Sequence, residues 1–304
     1  MNNRINKITP NYVNLKAYFF LILSTMCWGL NTIFGQLAVG EVSPMAVVML
    51  RWFGVLVISS FFFRKYVSQD WPLLRQKLLY IFAMGGLGYA GFNGMFYIAA
   101  HSTSAVNIGI LQGAIPIFIL LGSYLIYKTK ITLTQFYGVI ATLVGVGIVG
   151  VEGSFQNLSE LVFRFGDVIM LLACSLYAGY TIGLRQRPVS SAIGLFTLMA
   201  GVAFIVSLPL VGIEVLLDKF LWPTSKGWVV VGLITLLPSL VAQILFIKGV
   251  EIIGPSRAGI FANLVPVFGS LFAVFILGER FMLFQGVGMF FVLGGIWLSE
   301  RGKE

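Results

Sequence analysis

One arginine, Arg51, one histidine, His101, and the amides Asn31, Asn93, Gln112, Gln243 and Asn263 stand inside, or at the edge of, long apolar runs. Side chains of this kind recognise solutes. A guanidinium takes a carboxylate through paired N–H donors, an amide offers a donor and an acceptor together, and a histidine near its ordinary pKa exchanges a proton. The groups that covalent chemistry needs are missing from the pattern. There is no HExxH, no GxSxG, no GxxxxGK[ST] phosphate loop and no acid pair at depth within an apolar run. An enzyme and an ATP-driven pump are therefore disfavoured, and no cofactor is expected. The two cysteines, Cys27 and Cys174, have no metal-ligand spacing and read as small core residues, so no metal is expected either.

The elements that must position these groups follow from composition. The chain of 304 residues is 58% hydrophobic and 10% charged, with mean hydropathy +0.95. A soluble domain of this size could not bury so much apolar surface. The apolar residues come in blocks about long enough to cross a hydrocarbon core of roughly 30 Å as helices. Ten spans are expected, at 17–39, 44–64, 78–100, 104–127, 133–151, 165–185, 190–213, 227–247, 255–277 and 282–299. The first is not a cleaved signal peptide, because its apolar part is too long and no small-x-small site follows it.

The net charge of +9 reports topology. With a cytoplasmic N-terminus, fifteen Lys and Arg residues fall on the inner side and four outside (Arg164, Lys219, Lys226 and Arg280), leaving Arg51 within a span. That bias places both termini in the cytoplasm. The expected partners are the lipid bilayer and a small-molecule substrate, and nucleic acid is excluded.

Residues 96–148 lie over 246–298 without a gap. Phe96 meets Phe246, Gly109 meets Gly259, Pro116 meets Pro266, Gln135 meets Gln285, Gly138 meets Gly288 and Gly145 meets Gly295. Matched Pro, Gln and Gly at one offset indicate an internal duplication. The front halves match more loosely, CWGLNTIFGQ (27–36) with SLYAGYTIGLRQ (175–186), and GSFQNLSEL (153–161) joins the units. A cytoplasmic segment 1–16 thus precedes repeat 1 (17–151), a linker (152–164) and repeat 2 (165–300). A second copy of a five-span unit must enter the membrane from the opposite face. Such inverted repeats place a cavity at their interface that opens to either side in turn. The expected fold is an all-α membrane protein of ten transmembrane helices as two inverted five-helix repeats. Pro116 and Pro266 are expected to kink spans 4 and 9 symmetrically around the cavity; the plain alternative is that Gly and Pro are common in membrane helices.

With its ten spans, five-plus-five duplication, CWG in span 1, Pro-bearing spans 4 and 9, and the closing segment ILGERFMLFQGVGMFFVLGGIWL (276–298), the chain resembles the EamA-type proteins of the drug/metabolite transporter superfamily over about 17–300. It departs from that pattern at Thr129, which stands where the second repeat has Glu279, and at Tyr177, where Trp is frequent. The resemblance implies a basket in which spans 1, 3, 4, 6, 8 and 9 surround the path while spans 5 and 10 pack peripherally. It also implies export or exchange of small metabolites, often amino acids, without ATP, in a multi-pass protein of the cell inner membrane.

Asn93 and Gln243 occupy matching places in the two repeats, where they either bond a zwitterionic ligand or hold helices together. Gln112 and Asn263 lie on the pre-proline turns. Trp28, Asn31, Tyr89, Tyr177 and Tyr180 supply aromatic walls with polar tips, which suits a pocket and equally suits ordinary packing. Arg51 reads structurally as a partnered or snorkelling side chain and functionally as a carboxylate clamp or gate. His101, at the outer end of span 3, reads as a loop residue or a proton-coupling group. No Asp or Glu occupies the middle of a span, which favours facilitated diffusion or exchange over a mid-membrane proton relay. A structural membrane protein is the alternative, favoured by a dry, packed centre; a channel would need a charged ring or filter that is not visible.

Overall fold

The computed structural model describes residues 8–100, 111–151, 156, 165–278 and 280–301, and among these there are helices and no strands. Seven helical stretches there are long and apolar enough to cross a membrane: Asn14–Gly35, Pro44–Phe62, Phe165–Gln186, Ala192–Leu216, Ser225–Ile253, Pro255–Ile276 and Leu283–Arg301. The other three expected spans fall on the broken helix over 78–100 and on the shorter apolar helices Ile115–Tyr127 and Leu133–Val149. His101, Gly109, Glu279 and most of the 152–164 linker lie outside the described residues.

In chain order the helices are α1 (Ile8–Ala38), α2 (Pro44–Phe62), α3 (Arg64–Leu74), α4 (Leu78–Gly85), α5 (Phe92–Ala100), α6 (Ile115–Tyr127), α7 (Leu133–Gly150), α8 (Phe165–Gly183), α9 (Ala192–Leu216), α10 (Ser225–Ile234), α11 (Ala242–Ile253), α12 (Pro255–Gly259), α13 (Leu264–Leu277) and α14 (Leu283–Arg301). Large apolar side chains such as Phe61, Leu79, Phe275 and Phe290 stay exposed on the outside, as on helices whose backbone is satisfied internally and whose outer face meets lipid. Helix α3 is absent from the sequence expectation. It is mostly exposed, and Asp70 fastens it to the start of α9 by accepting from Ser191 N at 2.9 Å and Ser191 Oγ at 2.5 Å.

Two helices expected to be continuous are interrupted by wide π turns, Gly86–Gly91 between α4 and α5 and Thr235–Val241 between α10 and α11. They occupy nearly the same place in the two halves of the chain. In the second, Pro238 has no N–H for the carbonyl one turn earlier. Ser239 Oγ donates to that carbonyl, Ile234 O, at 2.6 Å.

The prolines stand where the helix type changes. Pro116 is at the first turn of α6, after a turn at 113–114, and Pro266 is at the first turn of α13, after a tight 3₁₀ segment, Ile260–Asn263, inside the helical stretch Pro255–Ile276. A residue without an N–H is accommodated where a regular α-helix begins, since that donor has no intrahelical partner there.

Other details recur 150 positions apart. Gln135 Oε1 accepts from Thr132 N at 3.1 Å, closing a capping box, and Gln285 Oε1 accepts from Met282 N at 2.7 Å. The matched glutamines are thus helix caps. Helices α6 and α13 both end on a left-handed residue, Lys128 (φ 54°) and Gly278 (φ 74°). Lysine is strained in that region and glycine is not. Lys128→Gly is therefore expected to raise stability by about 1 kcal/mol, read as a higher thermal unfolding midpoint in detergent.

Helices α7 and α14 pack closely against each other. A Cβ built on Gly138 would lie 2.6 Å from the Gly295 carbonyl oxygen, and one on Gly145 2.6 Å from that of Gly288. The earlier glycine of α7 thus meets the later one of α14 and the reverse, so the helices run antiparallel, with backbones in contact where small residues permit it.

Candidate functional site

Near the middle of the bundle a cavity offers about 170 Å³ of room for water centres, where roughly 10–15 Å³ suffices for one water. Helix α1 brings Trp28 and Asn31 to it, α2 brings Arg51, α5 brings Asn93, α8 brings Tyr177 and α11 brings Gln243. The helix breaks contribute Gln112, Asn263 and Pro266. Aromatic and aliphatic walls with a few placed polar groups are the usual make-up of a small-molecule pocket.

Arg51 is the centre of the polar network. It is only 4% exposed, which rules out the snorkelling alternative. Its Nε donates to Ser239 Oγ at 2.8 Å and its Nη1 to Asn93 Oδ1 at 3.3 Å, and Tyr97 lies beside the guanidinium. The second π turn carries Ser239, and the Asn93 amide is anchored by Nδ2 donating to Tyr89 O at 2.6 Å. No carboxylate is among the described residues that line the cavity. The ion pairs among the described residues, Arg187–Glu251, Lys226–Glu41 and Arg257–Glu300, all lie elsewhere.

Other lining residues are less satisfied. Trp28 Nε1 donates to Pro238 O at 3.2 Å, a carbonyl of the same π turn, and its ring meets Tyr177 edge-on at 5.9 Å. Asn31 Oδ1, Tyr177 Oη and Gln243 Oε1 are buried without a hydrogen-bond partner. Buried polar atoms are nearly always paired, so three orphans on residues lining one cavity mark it as incomplete without an occupant. Asn263 differs: its Nδ2 donates to Thr142 Oγ1 at 2.7 Å, tying the break to α7.

Tyr89 and Tyr180 do not line the cavity. Their hydroxyls are bonded to each other at 2.9 Å and the Tyr89 ring stacks on Trp52 at 4.6 Å, bracing the wall from behind. Pro116 does not reach it either. Sequence reasoning missed Tyr97, Phe92 and Phe96, which line the cavity from α5. Tyr97 was findable, because it lies four residues after Asn93 and so shares its helix face. Among the described residues no group of three His, Cys, Asp or Glu could hold a metal, and Cys27 and Cys174 are free and buried.

A second recess, at the end of the bundle where α12 begins, is lined by Arg187, Glu251 and Arg257. There Arg187 Nη2 lies 2.5 Å from Glu251 Oε1, and Arg257 donates to both Glu300 carboxylate oxygens, at 3.0 and 2.6 Å, with Tyr18 bonded to the same carboxylate.

The profile of the EamA-like transporter family matches residues 15–151 and again 164–301. The chain is 25% identical over 291 residues to the uncharacterized transporter YyaM of Bacillus subtilis (strain 168), covering 93% of each. It is 23% identical to the uncharacterized transporter YetK of the same organism, over 95% of this chain and 88% of that one. An uncharacterized transporter of Archaeoglobus fulgidus is 21% identical over 96% of this chain and all of its own length. A chain in a solved crystal structure superposes with TM-score 0.75 at 16% identity, covering 95% of this chain and 99% of that one, a likeness of fold.

Proposed function

The chain belongs to the EamA-like transporter family of multi-pass membrane proteins, and from that premise we propose that it carries small polar metabolites, amino acids or related compounds, across the cell inner membrane by alternating access. Transport is export or exchange and uses no ATP. The observation that carries this reading is the central cavity, lined from both family matches and holding unpartnered polar atoms. A scaffold with a dry, packed centre would have neither.

In this reading the fold is ten spans in two inverted five-helix repeats, 17–151 and 165–300, joined by the 152–164 linker, with both termini cytoplasmic. The double family match supports it, as do the π turns, caps and left-handed ends that recur 150 positions on. The strongest support is the antiparallel α7–α14 seam, where equivalent glycines exchange places, as an axis in the membrane plane requires. The Arg187–Glu251 and Arg257–Glu300 pairs then sit on the cytoplasmic side and hold that end together. Trp28, Asn31, Gln112, Tyr177, Gln243 and Asn263 line the substrate path, with Tyr89 and Tyr180 supporting them. No mid-membrane carboxylate takes part, consistent with the uncharged and basic lining.

The test is a metabolite-export screen in cells overproducing the protein. One or a few polar metabolites should accumulate in the medium faster than in cells with the vector alone. An unchanged profile at verified protein levels would refute the carrier reading. Tyr177→Phe is a finer probe. Its hydroxyl has no partner in the empty protein, so deletion should leave stability unchanged or raise it by up to about 1 kcal/mol. Solute affinity should fall several-fold, as measured by concentration-dependent uptake.

A further inference from the structure

We infer that the solute must bring a carboxylate of its own and that this group docks on Arg51, whereas an ammonium group is optional. The inference rests on the carrier reading and narrows it. Arg51 is a buried cation whose hydrogen-bond partners among the described residues are two uncharged oxygens, on Ser239 and Asn93, with Tyr97 beside it. A guanidinium has five N–H donors, so three are left, enough for Tyr97 and a two-oxygen ligand. Taking a charge out of water without an opposite charge is costly, and the described residues of the cavity lining include no carboxylate to relieve it. An entering carboxylate supplies the missing charge and accepts two of the remaining N–H groups in the forked geometry that favours Arg over Lys.

The same lining is indifferent to the rest of the solute. Among its described residues an ammonium would find no negative side chain. What it would find are the polar side chains of Asn31, Tyr177 and Gln243, each with an oxygen that has no partner of its own. Such oxygens accept from a hydroxyl as readily as from an ammonium, so a 2-hydroxy acid and a 2-amino acid fit alike. The same molecules with the carboxylate converted to a carboxamide leave Arg51 uncompensated.

The test uses purified full-length protein in detergent and two matched sets of four solutes: alanine, lactate, alaninamide and lactamide, and their phenyl-bearing counterparts phenylalanine, phenyllactate, phenylalaninamide and phenyllactamide. Binding is read as a ligand-induced rise in thermal midpoint over a concentration series. Carboxylates of at least one set should stabilise the wild type, and their amides should bind at least ~100-fold more weakly, the scale expected when a charged hydrogen-bonded anchor is lost. Arg51→Gln should abolish the difference between acid and amide. Arg51→Lys, which keeps the charge and guards against a folding artefact, should retain the preference at roughly tenfold lower affinity. Amides binding as well as acids, Arg51→Gln keeping the acid preference, or no acid binding at all would each overturn the assignment. Acid binding by a protein that exports nothing would sink the carrier reading alone. Export of neutral solutes that survives Arg51→Gln would sink this inference alone.

Discussion

Gly295→Val is expected to leave little correctly folded protein. A Cβ at this position would lie 2.5 Å from the Gly138 carbonyl oxygen and 2.8 Å from the Thr142 amide nitrogen. Those are backbone atoms, which cannot rotate away as a side chain can. The α7–α14 seam would have to open along its length, which also strains the Asn263–Thr142 bond and so the helix break beside the cavity. Overpacking of this kind costs ~3 kcal/mol or more where no side chain can yield, a large share of a membrane protein's reserve. Gly294→Val is the matched control, since nothing lies within 4 Å of a Cβ there. Size-exclusion profiles and thermal midpoints in detergent should show the first variant aggregated or strongly destabilised and the second close to wild type. Equal behaviour of the two would mean that the close seam does not hold the halves together.

The second large effect concerns solute recognition. Asn93→Leu combined with Gln243→Leu should lower transport about 100-fold, at a stability cost that comes from Asn93 alone. Each amide is taken to contribute a hydrogen bond to the solute, worth about 1–1.5 kcal/mol, and 1.4 kcal/mol is a factor of ten. The single variants separate contact from glue. Gln243 Oε1 has no partner in the empty protein, so Gln243→Leu should leave the thermal midpoint unchanged while uptake falls. Asn93 bonds both Arg51 and Tyr89 O, so Asn93→Leu should cost stability as well, by about 1–2 kcal/mol. If Gln243→Leu destabilised the protein and left uptake intact, the amide would be helix glue.

What the sequence made legible was whatever depends on residue type at fixed spacing. The apolar blocks marked the helices, the 150-residue offset marked the paired amides, and the lone charge at Arg51 marked itself. What stayed hidden depends on tertiary partners. The π turns have no periodic signature; at the second, the carbonyls of Ile234 and Pro238 are satisfied by Ser239 and by Trp28 from another helix. A proline in an apolar run announces an interruption, and whether the helix bends or restarts is decided by the neighbours that meet the freed backbone groups. Tyr89, Tyr180 and Tyr177 were equivalent by composition, and only helix rotation put two of them behind the wall. Helix α3 was missed because a short polar segment carries no membrane-length signal, although Asp70 anchors it firmly.

The most direct measurement places one cysteine at Gln243, in a background with Cys27 and Cys174 changed to alanine, and follows its labelling by a membrane-impermeant maleimide from either face of oriented vesicles. The thiol should react from both faces. Adding Glu251→Gln, which removes a partly exposed ion pair worth up to ~1 kcal/mol, should raise the cytoplasmic rate a few-fold and lower the opposite rate, because the two openings exclude each other. Labelling from one face only, or rates on the two faces that rise together, would contradict a cavity that opens to each side in turn.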